Sequence, residues 1–296
     1  MANIPVVFTF DKRILPAASI AIKSLIDSAK SSTKYDIRIL HNDLSLKNQK
    51  NLTSLIEKTN HSIGFHYVDK KLFKGVRTNN KSWSEIVYYR MIIPQILIEY
   101  DKVIYSDVDV FFKDDLEEVY NINLENFEWG GVRAEKNTKN STGHKFFEEN
   151  KNEFIFWSGF MLINCKKQRQ ENTFQELLKT SFDFKDRLTL FDLDVLNITC
   201  DKIKEIPLNY CVLETLYENE RVEEIPEYSF LKNVYSIEEL KEARKNPKII
   251  HYAGKLGKPW RRKNPPEYYK KYMENLPPEL KKYTLRDYRK KLFSKN

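Results

Sequence analysis

The sequence is poor in cysteine, and its three cysteines argue against two classes of small protein. Cys165, Cys200 and Cys211 are odd in number and show no Cys-x-x-Cys spacing, which argues against a disulfide framework and against a cysteine-ligated zinc cluster. Glycine and proline are also scarce, with 8 and 11 residues among 296, too few for a disordered chain. The hydrophobic content of 41% suffices for a core, so we expect a soluble globular protein.

Long apolar runs are also missing. No segment approaches the roughly 20 apolar residues that span a membrane. The apolar start, Ile4 to Phe10, is too short for a signal peptide and contains Pro5, so we expect a cytoplasmic protein. A length of 296 residues without a linker favours one compact α/β body.

Positive charge is concentrated at the C-terminus. Residues 261–296 carry 12 Lys or Arg and 4 Asp or Glu, and this excess equals the net charge of +8 of the whole chain. Aromatic side chains are mixed with the basic ones, at Tyr268, Tyr269, Tyr272, Tyr283, Tyr288 and Phe293. This mixture suits an anionic lipid surface, at about 1 kcal/mol per cation, and predicts peripheral attachment to the inner face of the cell membrane. A solvated pair of helices is the alternative; without a nucleic-acid-binding motif, no nucleic acid partner is expected.

The central motif of the sequence is Asp107-Val108-Asp109, which follows the short apolar run Val103 to Tyr105. The run predicts a buried strand that ends where the acids begin. A spacing of two along an extended chain points both carboxylates the same way. Because two neighbouring anions repel each other, we expect the pair to hold a divalent metal ion or to share a proton.

A second apolar run, Lys248 to Ile250, ends in the sequence His-Tyr-Ala-Gly-Lys-Leu-Gly-Lys-Pro-Trp, which starts at His251. An imidazole beside two carboxylates suits Mn²⁺ better than Mg²⁺, which prefers oxygen ligands. Gly254 permits close approach of the backbone to a phosphate, and Lys255 and Lys258 supply cations for its oxygens. The two motifs together predict a site for a metal-bound phosphate.

The first third of the chain alternates strands with helices, which is typical of a parallel, doubly wound sheet that binds ligands at the carboxyl ends of its strands. Pro16 is suited to the first turn of the first helix, and Ser45 to the cap of the second. A capping-box pattern, Ser82 to Glu85, predicts a third helix that carries Arg90. The predicted strands are Ile4 to Phe10, Tyr35 to Leu40 and Ser62 to Val68.

With the Asp-x-Asp and His-aromatic-x-Gly…Lys-Pro-Trp motifs present in order, the chain resembles glycosyltransferase family 8. The resemblance implies an α/β fold with a single GT-A, Rossmann-like nucleotide-binding domain over residues 1–260, followed by the basic, partly helical tail 261–296. It implies a retaining hexosyltransferase that uses Mn²⁺ or Mg²⁺ and a UDP-hexose donor, galactose or glucose. The implied acceptor is a glycan or glycolipid of a bacterial surface polysaccharide or lipooligosaccharide.

The same resemblance implies roles for individual residues. Asp107, Asp109 and His251 would hold the metal ion. Arg90, in a Tyr-Tyr-Arg segment, would reach the sugar diphosphate, and Asp192 and Asp194 fall in an Asp-x-Asp-x-x-Asn segment beside the reacting carbon; these three are the predicted catalytic residues. Nucleotide binding is assigned to Asp11, Arg13, Asp107, Val108, Gly254, Lys255 and Lys258, with Lys255 as a substitute for Lys258 at the phosphate.

Three positions depart from the family pattern. Ile14 stands where a base-stacking tyrosine is frequent, Trp157 replaces an asparagine that holds the donor sugar, and Leu193 replaces a glutamine beside the anomeric carbon. A leucine can neither attack nor form hydrogen bonds, and an indole cannot copy an amide. The departures imply an altered donor choice or a non-catalytic UDP-sugar-binding protein. A haloacid-dehalogenase-type phosphatase, which also uses Asp-x-Asp, remains a further alternative. Residues 134–152 form either a flap over the site or an ordinary loop.

Overall fold

The computed structural model describes residues 2–78 and 84–293. Strands and helices alternate through its first half, as the sequence predicts. Within the described residues the strands are β1 Ala2–Thr9, β2 Thr33–His41, β3 Ser62–Tyr67, β4 Val103–Ser106, β5 Val110–Phe112, β6 Trp129–Lys136, β7 Phe154–Ile163, β8 Ile203–Glu205, β9 Val212–Leu213 and β10 Ile249–His251.

Helices flank these strands. The α-helices of the described residues are α1 Leu15–Asp27, α2 Leu46–Thr53, α3 Ile93–Ile96, α4 Glu117–Tyr120, α5 Cys165–Gln170, α6 Thr173–Asp183, α7 Asp192–Thr199, α8 Glu214–Glu218, α9 Tyr228–Leu231, α10 Ile237–Lys245, α11 Glu267–Asn275 and α12 Leu285–Phe293. Short 3-10 helices cover Lys12–Ile14, Lys70–Phe73, Glu85–Ile92, Leu208–Tyr210, Val222–Glu224, Pro259–Arg261 and Pro278–Leu280.

The main sheet has the strand order β3-β2-β1-β4-β7-β6-β8. Its first four strands are parallel, whereas β7 runs antiparallel between β4 and β6. Val6, Val7 and Phe8 of β1 are all fully buried, because helices cover both faces of a parallel sheet. The parallel half therefore brings the carboxyl ends of β1 and β4 to one edge.

A small second sheet, β5-β10-β9, lies beside this edge. Strand β10 pairs antiparallel with β5, and His251 lies opposite Val110 in that pairing. Only the turn 107–109 separates β4 of the main sheet from β5 of the small one. The register of the small sheet therefore brings His251 next to the Asp-x-Asp motif, although 142 positions separate His251 from Asp109.

Local signals predicted several helix ends well. The Ser45 hydroxyl caps α2 by accepting the backbone N–H of Asn48, and Ser236 and Glu239 form a capping box at α10. Two helices differ from expectation. The first, expected through Lys30, ends at Asp27, and the second, expected through Lys58, ends at Thr53.

The predicted third helix is a 3-10 helix, Glu85–Ile92. Pro94 lies four residues after Arg90 and has no N–H to donate to the Arg90 carbonyl, which disfavours one continuous α-helix through this segment. The capping box predicted at Ser82 lies outside the described residues. The Ser84 side chain makes no capping hydrogen bond at the observed start.

The C-terminal segment packs against the body for more than half its length. Tyr269 of α11 is 1% exposed, and Leu276 and Leu280 are also buried. Tyr269 and Leu276 belong to a cluster that includes Ile20 of α1 and Phe111 of β5. We propose that the domain 1–260 and the tail 261–296 differ in function but fold as one unit. In this proposal α12 is the part of the tail available to contact a membrane. None of the described helices is both long and apolar enough to cross a membrane.

A matched pair of tyrosines tests this packing. We expect Tyr269→Ala to lower the free energy of unfolding by about 3 kcal/mol, because a fully buried aromatic ring is removed. Tyr288→Ala on α12, whose side chain is 52% exposed, should cost no more than about 0.5 kcal/mol. Urea denaturation of both variants gives the two values; an equal, small cost at both positions would show that α11 is not part of the folded body.

Candidate active site

The turn between β4 and β5 carries the Asp-x-Asp motif. The backbone N–H of Asp107 donates to the Gly159 carbonyl at 2.8 Å, and the Tyr252 N–H donates to the Asp109 carbonyl at 2.9 Å. The two acids lie in a bend and not on a continued strand. The prediction that an extended backbone points both carboxylates the same way is therefore wrong, although the carboxylates do converge. Backbone contacts from β7 and β10 hold the turn in place.

Asp107, Asp109 and His251 form one cluster. One ligand atom from each residue lies within 4.8 Å of the others. The His251 Nε2 atom is 3.4 Å from Asp109 Oδ1 and 3.8 Å from Asp107 Oδ2. Two carboxylates with an imidazole are a donor set that suits Mn²⁺ and related divalent ions. The residues present therefore fit the metal ion that the sequence predicts.

The cluster is electrostatically balanced by cations of the chain. Burial alone would lower the pKa of His251. The Cys211 thiol, 3.4 Å from Nδ1, and the Asp109 carboxylate outweigh burial and raise the pKa to about 10. Burial alone would raise the pKa of Asp109, but Lys258 and His251 outweigh it and lower the pKa. Without a metal ion, a proton on His251 therefore occupies the same Nε2 lone pair that would bind the metal.

Lys258, rather than Lys255, contacts this cluster. Its ammonium group donates to Asp109 Oδ2 and, at 2.8 Å, to the Tyr252 carbonyl. Lys255 is exposed and lines the adjacent cavity, as does Gly254. The structure thus answers which of the two lysines lies beside the carboxylates.

Gly159 of β7 makes room for the cluster. A Cβ atom at this position would lie 2.5 Å from Cε1 of His251 and 3.1 Å from Asp107 Oδ2. Real Cβ atoms do not approach other atoms so closely, so any side chain here would displace the imidazole. No local pattern in the sequence indicates this requirement, because it depends on the distant residue His251.

Arg90 joins Asp107 to a second buried acid, Asp192. Its Nη2 atom is 2.8 Å from Asp107 Oδ1, and its Nε atom is 3.1 Å from Asp192 Oδ2. The guanidinium also donates to the Ser158 carbonyl and lies 4.4 Å from the ring centre of Tyr105. Tyr105 in turn donates to Asp107 Oδ1 at 2.6 Å. These contacts fix the position of Asp107.

The carboxyl group of Asp192 is strongly perturbed. Burial raises its pKa to about 6, although Arg90 opposes this effect. The Ser158 hydroxyl donates to Asp192 Oδ2 at 2.9 Å, and Asp192 lines the cavity. A buried acid with a raised pKa at a cavity wall is a frequent property of functional sites.

Asp194 has different surroundings. Its Oδ2 atom accepts the backbone N–H groups of Thr189 at 2.6 Å and Leu190 at 2.8 Å, and also the Thr189 hydroxyl. Asp194 is not among the cavity-lining residues. Its position suits a residue that shapes the turn before α7, whereas Asp192 faces the cavity.

The three remaining predicted nucleotide-binding residues lie apart from the cavity wall. Asp11 follows β1 and accepts the Arg13 backbone N–H at 2.9 Å and the Arg13 Nε at 2.8 Å. Arg13 also donates to the Ser84 hydroxyl. Val108 is 6% exposed, between the two acids. None of Asp11, Arg13 and Val108 lines the cavity, although all follow the carboxyl ends of neighbouring strands β1 and β4.

The cavity has a volume of about 460 Å³, within the range of small-molecule sites. Its lining includes the acidic cluster and also Trp157, His144, Phe230 and Glu227. Leu193 also lines it but packs with Ala134 and Ile155. The cavity wall thus combines the charged cluster with aromatic side chains.

Trp157 is held by a chain of hydrogen bonds that the sequence did not reveal. Its indole N–H donates to His144 Nε2 at 3.2 Å, and His144 Nδ1 lies 3.1 Å from Glu135 Oε2. Glu135 also accepts the backbone N–H groups of residues 142, 143 and 144. Burial alone would raise the pKa of Glu135, but hydrogen bonds from His144 and the backbone lower it. Residues 134–152, predicted as either a flap or an ordinary loop, are therefore tied to β6, and Gly143 and His144 of this segment line the cavity.

Comparison with known proteins agrees with this geometry. A family model described as Glycosyl transferase family 8 matches residues 5–264. The chain is 26% identical over 256 residues to a lipopolysaccharide 1,2-glucosyltransferase of Escherichia coli, covering 84% of this chain and 71% of the relative. It is 24% identical over 200 residues to a lipopolysaccharide 1,3-galactosyltransferase of Salmonella typhimurium, covering 65% of this chain and 58% of the relative.

A solved structure of the galactosyltransferase LgtC, in complex with donor and acceptor sugar analogs, is 22% identical, has a TM-score of 0.74, and is matched over 97% of this chain and 100% of that chain. This likeness confirms the expected GT-A fold. The matched part spans 61% of a further relative, from Haemophilus influenzae, so the chain covers about three fifths of some curated relatives. The family match leaves the phosphatase alternative without support.

Gly159 offers a direct test of the cluster geometry. We expect Gly159→Ala to weaken Mn²⁺ binding about tenfold or more, because the added methyl group displaces His251. Free Mn²⁺, measured by electron paramagnetic resonance during titration, gives the affinity. Gly64→Ala on β3 is the control, since its Cβ would meet only the flexible end of Arg38. Equal Mn²⁺ affinity in both variants and the parent chain would contradict the proposed crowding.

Proposed function

The chain belongs to glycosyltransferase family 8, and on this premise we propose that it transfers a hexose, galactose or glucose, from a UDP-sugar to a glycan acceptor. The names of the relatives, a glucosyltransferase and a galactosyltransferase of lipopolysaccharide, support this choice of sugars and a bacterial surface polysaccharide or lipooligosaccharide as the acceptor. The observation that carries the proposal is the convergence of Asp107, Asp109 and His251 beside Lys258 in the wall of a cavity.

The proposed reaction depends on stabilising the departing nucleotide. Breaking the bond between the sugar and UDP leaves the electron pair on a phosphate oxygen. Mn²⁺ or Mg²⁺, held by Asp107, Asp109 and His251, would supply a Lewis acid for the diphosphate. Lys258 is close enough to the cluster to meet the same negative charge, and such preorganised groups contribute roughly 3 kcal/mol each to lowering the barrier.

The acceptor hydroxyl completes the exchange. Its oxygen forms the new bond to the anomeric carbon, and its proton leaves with the UDP phosphate oxygen in a front-side reaction that retains configuration. Asp192 is the alternative nucleophile for a covalent route, since its carboxylate faces the cavity. Arg90 orients Asp192 and Asp107 together, so we assign Arg90 a positioning role in either route. Leu193 supplies no reacting group.

Nucleotide recognition is proposed for the turn after β1. The Asp11 carboxylate is held by Arg13, and both lie at the carboxyl end of β1, next to the turn that contains Val108. A parallel sheet binds nucleotides at this edge. The base would therefore lie near Asp11 and Arg13, outside the cavity wall that contains Trp157. Gly254 and Lys255 line the cavity and would approach the diphosphate or the sugars.

A non-catalytic UDP-sugar-binding protein is the second candidate. Two observations favour it. The only hydrogen-bond donor of the Trp157 side chain is already used by His144, and Leu193 packs in a small apolar cluster. Neither side chain can replace the polar contacts of the amides expected at these positions. Turnover decides between the two candidates.

The proposed activity is tested by UDP release. We expect slow hydrolysis of one UDP-hexose with Mn²⁺, and a loss of about a hundredfold or more in Asp109→Ala, because one of three metal ligands is removed. Asp101→Ala is the control, since Asp101 lies exposed just before β4. UDP and Mn²⁺ binding without release from any UDP-hexose, alone or with added glycosides, would favour the non-catalytic candidate. Absence of UDP binding would contradict both.

Helix α12 supports a further proposal, attachment to an anionic membrane. Leu285 is 80%, Tyr288 52% and Leu292 79% exposed, and the spacing of three and four places them on one face of the helix. Arg286, Arg289, Lys290 and Lys291 add positive charge to the same helix. An exposed apolar stripe on a basic helix suits the boundary between lipid headgroups and acyl chains.

Vesicle sedimentation tests this attachment. We expect the chain to sediment with vesicles of phosphatidylglycerol and phosphatidylcholine, and to release them as salt rises, because screening weakens the cationic contribution. Leu285→Ser with Leu292→Ser should reduce binding at least fivefold. The control is Leu72→Ser, at an exposed leucine remote in sequence from the tail. Equal vesicle binding of the double variant and the control would show that α12 does not attach the chain to the membrane.

A further inference from the structure

Two buried polar groups without a hydrogen-bond partner lie beside Gly254 of the cavity wall. Glu227 and Thr215 are each 7% exposed. Among the described residues, neither Glu227 Oε2 nor Thr215 Oγ1 has a hydrogen-bond partner. A buried polar atom left unpaired is destabilising, because the loss of its hydration is not compensated. Since these two atoms lie beside the cavity-lining Gly254, a ligand in the cavity could supply the missing partners.

Gly254 brings the two side chains to one place. A Cβ atom on Gly254 would lie 3.2 Å from Glu227 Oε1, 3.2 Å from Thr215 Cγ2 and 3.4 Å from Thr215 Oγ1. Glu227 and Gly254 both line the cavity. The glycine thus leaves a space that the carboxylate and the hydroxyl border, three residues after the proposed metal ligand His251.

Glu227 is held rigidly in this position. It directly precedes α9, and its backbone carbonyl accepts the N–H groups of Phe230 and Leu231. Ile225 and Leu231 on either side are buried in the main core. Within the described residues, no ion pair neutralises the Glu227 carboxylate. The backbone at Glu227 is therefore anchored, and the carboxylate has no cationic partner among the described residues.

An aromatic wall accompanies the carboxylate. The Phe230 ring meets the His144 ring edge-on at 5.5 Å, and His144 is linked to Trp157. Gly143 allows this approach, since a Cβ there would lie 2.5 Å from Phe230 Cδ1. A carboxylate only accepts hydrogen bonds, and an aromatic ring offers an apolar face. A sugar presents both partners: hydroxyl groups at its rim and C–H groups on its face.

The position of Glu227 and Phe230 indicates which sugar they would bind, that of the donor or that of the acceptor. This step rests on the proposed function, in which the diphosphate lies at the cluster and the base lies towards Asp11. The transferred sugar then lies near Arg90, which is ion-paired to Asp107 of the cluster, and near Asp192, which is ion-paired to Arg90. The part of the cavity at Glu227 and Phe230 remains for the second sugar. We propose that Glu227 and Thr215 accept hydrogen bonds from hydroxyl groups of the acceptor sugar, and that Phe230 packs against its C–H face.

The test uses simple glycosides as acceptor probes. Methyl glycosides of galactose, glucose and N-acetylglucosamine are added to the full chain with Mn²⁺ and the preferred UDP-hexose, and UDP release is measured. For a glycoside that accelerates release, we expect Glu227→Gln to raise its apparent KM about ten- to a hundredfold, the effect of losing a hydrogen bond to a charged group. Release without glycoside should not change. Thr215→Val should raise the same KM by a smaller factor.

Glu223→Gln is the matched control, because Glu223 lies on the same segment and is exposed. A KM that is equal in Glu227→Gln, Glu223→Gln and the parent chain would overturn the assignment. So would an equal loss of release with and without glycoside, since that result would place Glu227 in the donor site or in the fold.

Glycoside binding without turnover separates this proposal from the proposed function. Saturation-transfer NMR measures contact of the same glycosides with the chain, with and without UDP and Mg²⁺. Binding that is lost in Glu227→Gln but kept in Glu223→Gln supports the acceptor site even if no UDP-hexose is ever hydrolysed. No binding of any of the glycosides to the parent chain, or equal binding to both variants, would overturn it.

Discussion

The close approach of two carboxylates and one imidazole is the constraint on which the rest of the structure depends. Asp107, Asp109 and His251 come from the edge of one sheet and the end of another. Their convergence requires the antiparallel register of β10 with β5 and the absence of a side chain at Gly159. Like charges at such short separation repel strongly. A fold that maintains this arrangement needs positive charge in the middle of it.

The chain supplies part of that charge itself and leaves the rest to ligands. Lys258 contacts Asp109, and Arg90 bridges Asp107 and Asp192. Buried ion pairs rarely add net stability, because desolvation offsets the attraction. Their presence is better explained by function: Arg90 fixes the geometry of two acids, and Lys258 adds a cation where a diphosphate would lie. We propose the same explanation for Glu227 and Thr215 beside Gly254, whose unpaired oxygens would be satisfied by the acceptor.

The sequence predicted those features that short motifs and periodic patterns encode. The strands around β1, the Ser236 cap and the pairing of Asp107 and Asp109 with His251 all followed from local pattern or from the family resemblance. Contacts between distant segments were not accessible in this way. Gly159 acquires its meaning only beside His251, and Trp157 only beside His144. The burial of Tyr269 could not be expected from the basic composition of the tail, because α1 and β5 supply its apolar partners.

The central claim is that the three-residue cluster holds a divalent metal ion against a nucleotide diphosphate. Crystals grown with Mn²⁺ and UDP, measured at the manganese absorption edge, test it most directly. We predict an anomalous peak between the carboxylates of Asp107 and Asp109, beside Nε2 of His251, with the diphosphate near Lys258. A manganese peak elsewhere would contradict the claim. So would UDP bound without a metal ion while Lys258 still contacts Asp109.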